Sequence, residues 1–216
     1  MRSIAFCFAI AMASTACAQN AASKPALAPR ADSAKRADHD GLIPAGFGTL
    51  KQEQIAIRLQ TNGLTVQVLP LEESVIRTLA PDSYATFHAI RESKKAALEA
   101  ARVRAGLPAI QAWYVTFFNV QQGEARFDAF DVLIRSVGQD FRPIDALSMQ
   151  AAFGEGRVAQ SRSVSAVYAF DPQINLNQPL TITALGQQSI VWADNILPLV
   201  ERERSLIWSR AANTKP

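Results

Sequence analysis

The 216-residue chain is poor in the residue types from which reactive centres are most often built, with two cysteines and two histidines in all. Both cysteines, Cys7 and Cys17, fall in an N-terminal stretch that reads as a removable leader. A soluble mature form would therefore carry no thiol, which removes a disulfide framework, a thiolate metal site and a cysteine nucleophile. Of the histidines, His88 alone belongs to the part of the chain that patterns as folded. A metal centre ordinarily takes two or more imidazole or thiolate ligands, and a hydrolytic triad takes a base beside its nucleophile. His88, next to Phe87 on a helix, is expected to be a surface or partly covered side chain, and no cofactor is implied.

Charge of one sign is scarce as well. The formal net charge is +3, with a pI near 9.1. Arg2 accounts for one positive charge, and Lys24, Arg30, Lys35 and Arg36 against Asp32, Asp38 and Asp40 account for another, which leaves +1 on the remainder. This is no nucleic-acid footprint. Nor is there a run long enough to span a bilayer, which takes about 20 apolar residues: the longest candidate is the stretch 4–13.

That stretch has its own meaning. Met1 and Arg2, an apolar run and then Ala16-Cys17-Ala18 before Gln19 have the order of a secretory signal peptide over residues 1–18. Thr15-Ala16-Cys17 also resembles the end of a bacterial lipoprotein signal, which would make Cys17 the lipidated residue. The departure is Ser14, where that pattern begins with a branched apolar residue. Residues 19–48, rich in alanine and interrupted by Pro25, Pro29 and Pro44, show no sustained period and read as a tether. Residues 49–216 remain for a single domain, long enough to bury a core without staples.

The body opens with a hairpin. Ile55, Ile57 and Leu59 alternate with Ala56, Arg58 and Gln60, and after Asn62-Gly63 the alternation resumes at Leu64, Val66 and Val68. Leu71, Val75 and Leu79, spaced by four, predict a short helix over 71–80, closed by Pro81. A longer amphipathic helix is predicted over 82–105, capped by Asp82 or Ser83 and stopped by Gly106 and Pro108. The next element, 111–120, puts Trp113, Val115 and Phe117 on one side and Tyr114 and Phe118 on the other. That predicts a strand buried on both faces, with the long helix covering one of them. Strands follow over 131–137, 163–170 and 180–185, the last two alternating strictly and expected to bury one face each. Pro198 opens a C-terminal helix over 198–211.

Candidate chemistry is thin. Asp128 with Asp131, Glu72 with Glu73, and Asp140 with Asp145 are close in sequence, and each pair is expected to form turns or meet solvent. Gly154-Glu155-Gly156-Arg157 lacks the length and the lysine of a phosphate loop. Trp113, Trp192 and Trp208 sit in apolar patterns that predict core packing. Arg126, Arg135 and Arg142, with Arg157 and Arg162, are the candidates for gathering on a sheet around an acidic ligand.

These elements predict a mainly β protein: an antiparallel sandwich of the immunoglobulin-like sort, with an inserted helical segment and a C-terminal helix. The resemblance to exported bacterial sandwich domains is architectural, spans roughly 52–192 and carries no residue roles. The alternative is an α+β layer, one antiparallel sheet packed on helices. The function expected is that of a noncatalytic exported envelope protein, periplasmic or attached to the outer membrane through a lipid. It would bind or assemble with another envelope protein, by strand addition to an open sheet edge. The alternative is a periplasmic enzyme working through carboxylates, or a binder of an acidic ligand through the sheet arginines.

Overall fold

A computed structural model describes residues 42–61 and 63–213. The expected signal peptide with Cys17, residues 19–41 of the expected tether, and Asn62 at the tip of the hairpin lie outside the described residues; the last residues assigned to the tether, 42–48, are described, and Ile43 and Gly48 among them are buried against the body. The body is mixed α and β, with 35% helix and 32% strand, so the expected β predominance gives way to near parity.

A five-stranded antiparallel sheet has the order β1-β2-β3-β9-β7. Its strands are β1 (Ile57–Gln60), β2 (Leu64–Pro70), β3 (Gln111–Asn119), β9 (Ser163–Phe170) and β7 (Asp145–Ser148). A four-stranded sheet has the order β11-β10-β5-β6: β5 (Val132–Ser136), β6 (Gln139–Phe141), β10 (Leu180–Ala184) and β11 (Gln187–Ser189). A short ladder joins β4 (Ala125–Arg126) to β8 (Arg157–Val158). The two larger sheets share one core and approach each other where β1 runs beside β10 and β11.

The hairpin forms as its alternation predicts, with Ile57 opposite Val68 and Leu59 opposite Val66. Its first strand starts at Ile57, because the residues before it form a helical turn, α1 (Gln52–Ile55). Pro70 closes β2 opposite Trp113 and does not open a helix. Two further tight turns use paired positive φ angles, at Val137-Gly138 (48° and 80°) and Leu185-Gly186 (53° and 69°). Glycine takes the second position without steric cost, and the strand twist favours this geometry.

Register explains the layers. Residues directly opposite in an antiparallel pair share a face, so Val66, Val68, Trp113, Val115, Phe117, Ala166 and Tyr168 lie together. All seven are fully buried. Phe127 stacks on Phe117 at 4.1 Å between centroids, Trp192 approaches Trp113, and the Tyr168 hydroxyl donates to the Ala129 carbonyl at 2.5 Å. The opposite face carries Leu69, Tyr114, Val167 and Leu147. Helix packs here: Phe87 meets Tyr114 edge-on at 5.6 Å. This is the arrangement the aromatic pattern of β3 predicts. It also corrects the expectation for β9, which buries both faces except at Ser163.

The helices differ in detail from their predicted bounds. The 71–80 segment holds a single turn, α2 (Glu73–Ile76), although Leu71, Val75 and Leu79 are all fully buried as their spacing implies. The long helix begins with Pro81 at its first position and breaks at Lys94 (φ −103°, ψ 1°) into α3 (Pro81–Ser93) and α4 (Lys95–Ala105). Another single turn, α5 (Ala151–Gly154), precedes β8. The C-terminal helix α6 (Leu197–Asn213) is preceded by a π-helical turn, Trp192–Ile196. Pro198 offers no backbone donor to the preceding turn, and a widened turn is the kind of adjustment that accommodates it.

Candidate functional site

Polar side chains converge where the chain leaves β2. Glu72 stands at the N-cap of α2 and Glu73 at its first residue, with Arg77 one turn on. Tyr84, His88 and Arg91 occupy positions i, i+4 and i+7 of α3, and so share one helical stripe. That stripe meets the acids.

The Glu73 carboxylate, 14% exposed, is the hub. Arg77 Nε donates to its Oε2 at 2.6 Å, His88 Nδ1 lies 2.8 Å from Oε1, and the Tyr84 hydroxyl donates to Oε2 at 3.3 Å. Arg91 Nη1 stands 3.8 Å from Oε1. Burial alone would push this carboxyl up, but hydrogen bonds from Arg77 and His88 outweigh it and hold it below the usual range. An ionised carboxylate only accepts, so the proton of the His88 pair sits on Nδ1. Glu72 is shifted the other way. Its burial raises the pKa, and Arg91 (Nη2 to Oε2, 3.8 Å) and the Ala112 N–H (3.3 Å to Oε1) offset this only in part. Two adjacent acids, both within 3.8 Å of one guanidinium, are thus driven apart by their surroundings.

The same turn ties distant parts of the body together. Arg77 Nη1 donates to the Ile43 carbonyl, and Arg204 of α6 donates to the Ser74 carbonyl and to Asn177 Oδ1. Of the hollows that flank it, two are larger than the one between Ile43, Ser74 and Arg204. One, about 360 Å³, is lined by Glu72, Ser74, Gln111, Gln173, Asn175 and Asn177, among others. The other is a groove of about 630 Å³ between the α3–α4 pair and the lead-in to β3, with Leu98, Ile110 and Ala112 at its base and Arg91, Lys95 and Arg102 on its rim.

The arginines marked by the sequence are distributed elsewhere. Arg135 is committed to Asp140 through two bonds, of 2.6 and 2.9 Å. Arg142 is exposed and adds to the positive field on the same aspartate, which Arg135 chiefly holds low. Arg126 lies opposite Arg157 on the β4–β8 ladder, and Arg157 pairs with Glu155 and Glu124. Arg126 and Arg135 line different hollows. The structure thus brings Arg135 near Arg142, and Arg126 near Arg157, without joining the two pairs.

Among the acids, Asp128 accepts the Phe130 N–H two residues on, as turn aspartates do, whereas Asp131 accepts the distant Leu185 N–H and ties the turn after β10 to the start of β5. Asp145 pairs with Arg104. Glu72 and Glu73, expected in turns or solvent, are the exception: they are partly buried and form the cluster. Trp113 and Trp192 are fully buried, whereas Trp208 is 44% exposed.

The sequence marked Glu72, Glu73 and His88 only to set them aside, and Tyr84 and Arg91 not as site residues at all. The signal that would have found them is the 84-88-91 polar stripe on an otherwise amphipathic helix, read together with two acids one turn before Arg77. Compared with protein-family models, with curated proteins and with solved structures, the chain matches none of them.

Proposed function

We propose that the protein is a noncatalytic exported bacterial envelope protein, a binding or assembly module that meets another envelope protein through the bare end of its five-stranded sheet. The carrying observation is a pair of apolar side chains, Phe118 and Val120, which are 40% and 45% exposed. Phe118 shares its row with Gln60, Thr65 and Ser163, beyond the part of that face covered by α3. Apolar residues within a polar border that is uncharged in its own row and carries exposed Arg58 in the next have the composition of an interface core and its rim. Strand addition has less room than the sequence suggests. Edge strand β7 has Lys94 on the Ser148 carbonyl and Asp145 on the Ala146 N–H, the kind of edge protection that resists pairing. Edge strand β6 is three residues long.

A photo-crosslinking residue at Phe118, compared with one at Glu99 on the outer side of α4, tests the reading in intact cells. The expected result is one discrete adduct from position 118 that Val120→Ser weakens; adducts common to both positions, or none, would remove it. The leader and tether support export, and Cys17 would supply the only membrane attachment in this proposal: no helix among the described residues is long and apolar enough to cross a membrane. Intact mass of the mature protein decides between a lipidated Cys17 and cleavage before Gln19. The finer architecture, an immunoglobulin-like sandwich with a helical insertion, belongs to the same proposal and is supported by two antiparallel sheets on one core.

A second reading, a periplasmic carboxylate enzyme, is favoured by one observation: Glu72 and Glu73 are shifted in opposite directions beside Arg91, the pattern of an acid and a base at one pH. A glycan- or ester-hydrolysing activity lost in both Glu72→Gln and Glu73→Gln, with folding intact, would put it first. Binding of an acidic ligand through Arg126, Arg135 and Arg142 is supported only by the approach of Arg142 to the Arg135–Asp140 pair.

A further inference from the structure

We infer that the hollow beside Glu72 is a binding site for a primary ammonium or guanidinium group carried on a small polar ligand or on a side chain of another protein. Glu72 is the only formally charged residue in its wall among the described residues. One oxygen of that carboxylate receives a long bond from Ala112, at 3.3 Å, and the other faces Arg91 at 3.8 Å, beyond hydrogen-bond reach. A carboxylate has about four acceptor sites. Most of this one's capacity is therefore unspent in a place where burial already disfavours its charge, and a cationic donor is the guest that restores both.

The remainder of the wall is held in place before any ligand arrives. Gln111, 8% exposed, donates from Nε2 to the Ile174 carbonyl and accepts the Trp113 indole N–H on Oε1. This fastens the 172–177 loop to β3. Within the loop and its lead-in, Asp171 accepts the Gln173 N–H and Asn175 accepts the Asn177 N–H, while the Asn175 N–H donates to Ser136 Oγ at the end of β5. Arg204 holds Asn177 from α6. Asn175 thus spends its Oδ1 on the loop and its N–H on β5, leaving its amide NH₂, with the Ser74 hydroxyl, for oxygen atoms of the guest. The volume of about 360 Å³ is within the range of small-molecule sites. A preorganised wall with one unspent carboxylate selects a cation that also bears hydroxyl or carbonyl oxygens.

This site is independent of the sheet-face reading, and its test leaves Phe118 untouched. The full chain is titrated by NMR with glucosamine and with N-acetyl-arginine amide, against their neutral counterparts glucose and N-acetyl-citrulline amide. Saturable shifts at the Ala112 and Asn175 amides are expected from a cationic probe, weakened about tenfold or more by Glu72→Gln. The tighter of the two probes shows whether the site takes an ammonium or a guanidinium, and N-acetyl-lysine amide set beside glucosamine shows whether the cation is better presented as a protein side chain or on a small polar ligand. Asn175→Asp keeps the loop's acceptor and adds a carboxylate to the wall, so it should tighten the same probe. Unfolding midpoints of both variants confirm that they are folded. No saturation from either cation, equal binding of the neutral counterparts, undiminished binding in Glu72→Gln, or weaker binding in Asn175→Asp would each overturn the assignment.

Discussion

His88 Nδ1 lies 2.8 Å from Glu73 Oε1 although fifteen residues separate them in the chain, and this pair pins α3 to the turn that leaves β2. Because the ring is 44% exposed and the carboxylate 14%, the acid is the partner whose loss matters more. Glu73→Ala strands Arg77 and Tyr84 as well as His88 and should cost about 2–3 kcal/mol. His88→Ala should cost less than about 1 kcal/mol. Urea unfolding at pH 7 checks the order, and a larger loss from His88→Ala would show that Glu73 is not the hub.

The acids of this turn respond to pH with opposite signs. Glu73 is held below its usual range, as is Glu203. For Glu203, burial pushes up but is outweighed by hydrogen bonds from Arg210 and Thr49. A depressed folded-state pKa gives stability that is present above the ordinary carboxylate range and lost as pH falls through the folded value. Stability should therefore drop on acidification below about pH 4.5, the unshifted glutamate value. Glu72 is raised, mainly by burial, so its ionised form opposes folding at neutral pH. Glu72→Gln should raise the unfolding midpoint at pH 7, and the gain should vanish in acid where Glu72 is protonated. A lower midpoint at pH 7 would contradict the assigned direction.

Gly48 is required by a close approach of two backbones. A Cβ at this position would stand 2.3 Å from the Thr78 carbonyl carbon and 2.4 Å from the Leu79 oxygen. There Leu50 N–H donates to the Thr78 carbonyl and Ala80 N–H to the Leu50 carbonyl. Gly48→Ala should cost about 2–3 kcal/mol through overpacking, read as a fall in thermal midpoint. An unchanged midpoint would mean that this segment is not held against the Thr78–Ala80 backbone.

The three tryptophans should separate experimentally. Trp113 donates its indole N–H to Gln111 at 3.0 Å, whereas the buried Trp192 Nε1 has no partner among the described residues. Trp113→Phe leaves Gln111 Oε1 unsatisfied, and Trp192→Phe removes an unsatisfied donor, so the second should be less destabilising by about 1–2 kcal/mol. Trp208→Phe should remove the red-shifted, acrylamide-quenchable part of the emission, because only this ring is substantially exposed. Quenching that survives Trp208→Phe would contradict the burial of the other two.

Local pattern determined the longer elements from the residues alone, and missed the short strands β4, β6, β7, β8 and β11. Alternation marked β1, β2, β3, β9 and β10, because a pleated strand sends neighbouring side chains to opposite faces whatever surrounds it. Helical spacing marked α3, α4 and α6 in the same way, but over 71–80 it marked a helix where only one turn forms. Only the tertiary structure decided which faces were covered: β9 alternates like a half-exposed strand, yet helix and sheet close over both its sides, while Phe118 on a strand expected to be buried is left bare. Only the tertiary structure assembled the Glu72–Glu73 cluster too, since whether two adjacent acids meet solvent or a histidine, a tyrosine and two arginines depends on where α3 docks. That docking includes the packing of Phe87 on Tyr114, a contact between residues 27 positions apart that no local period encodes.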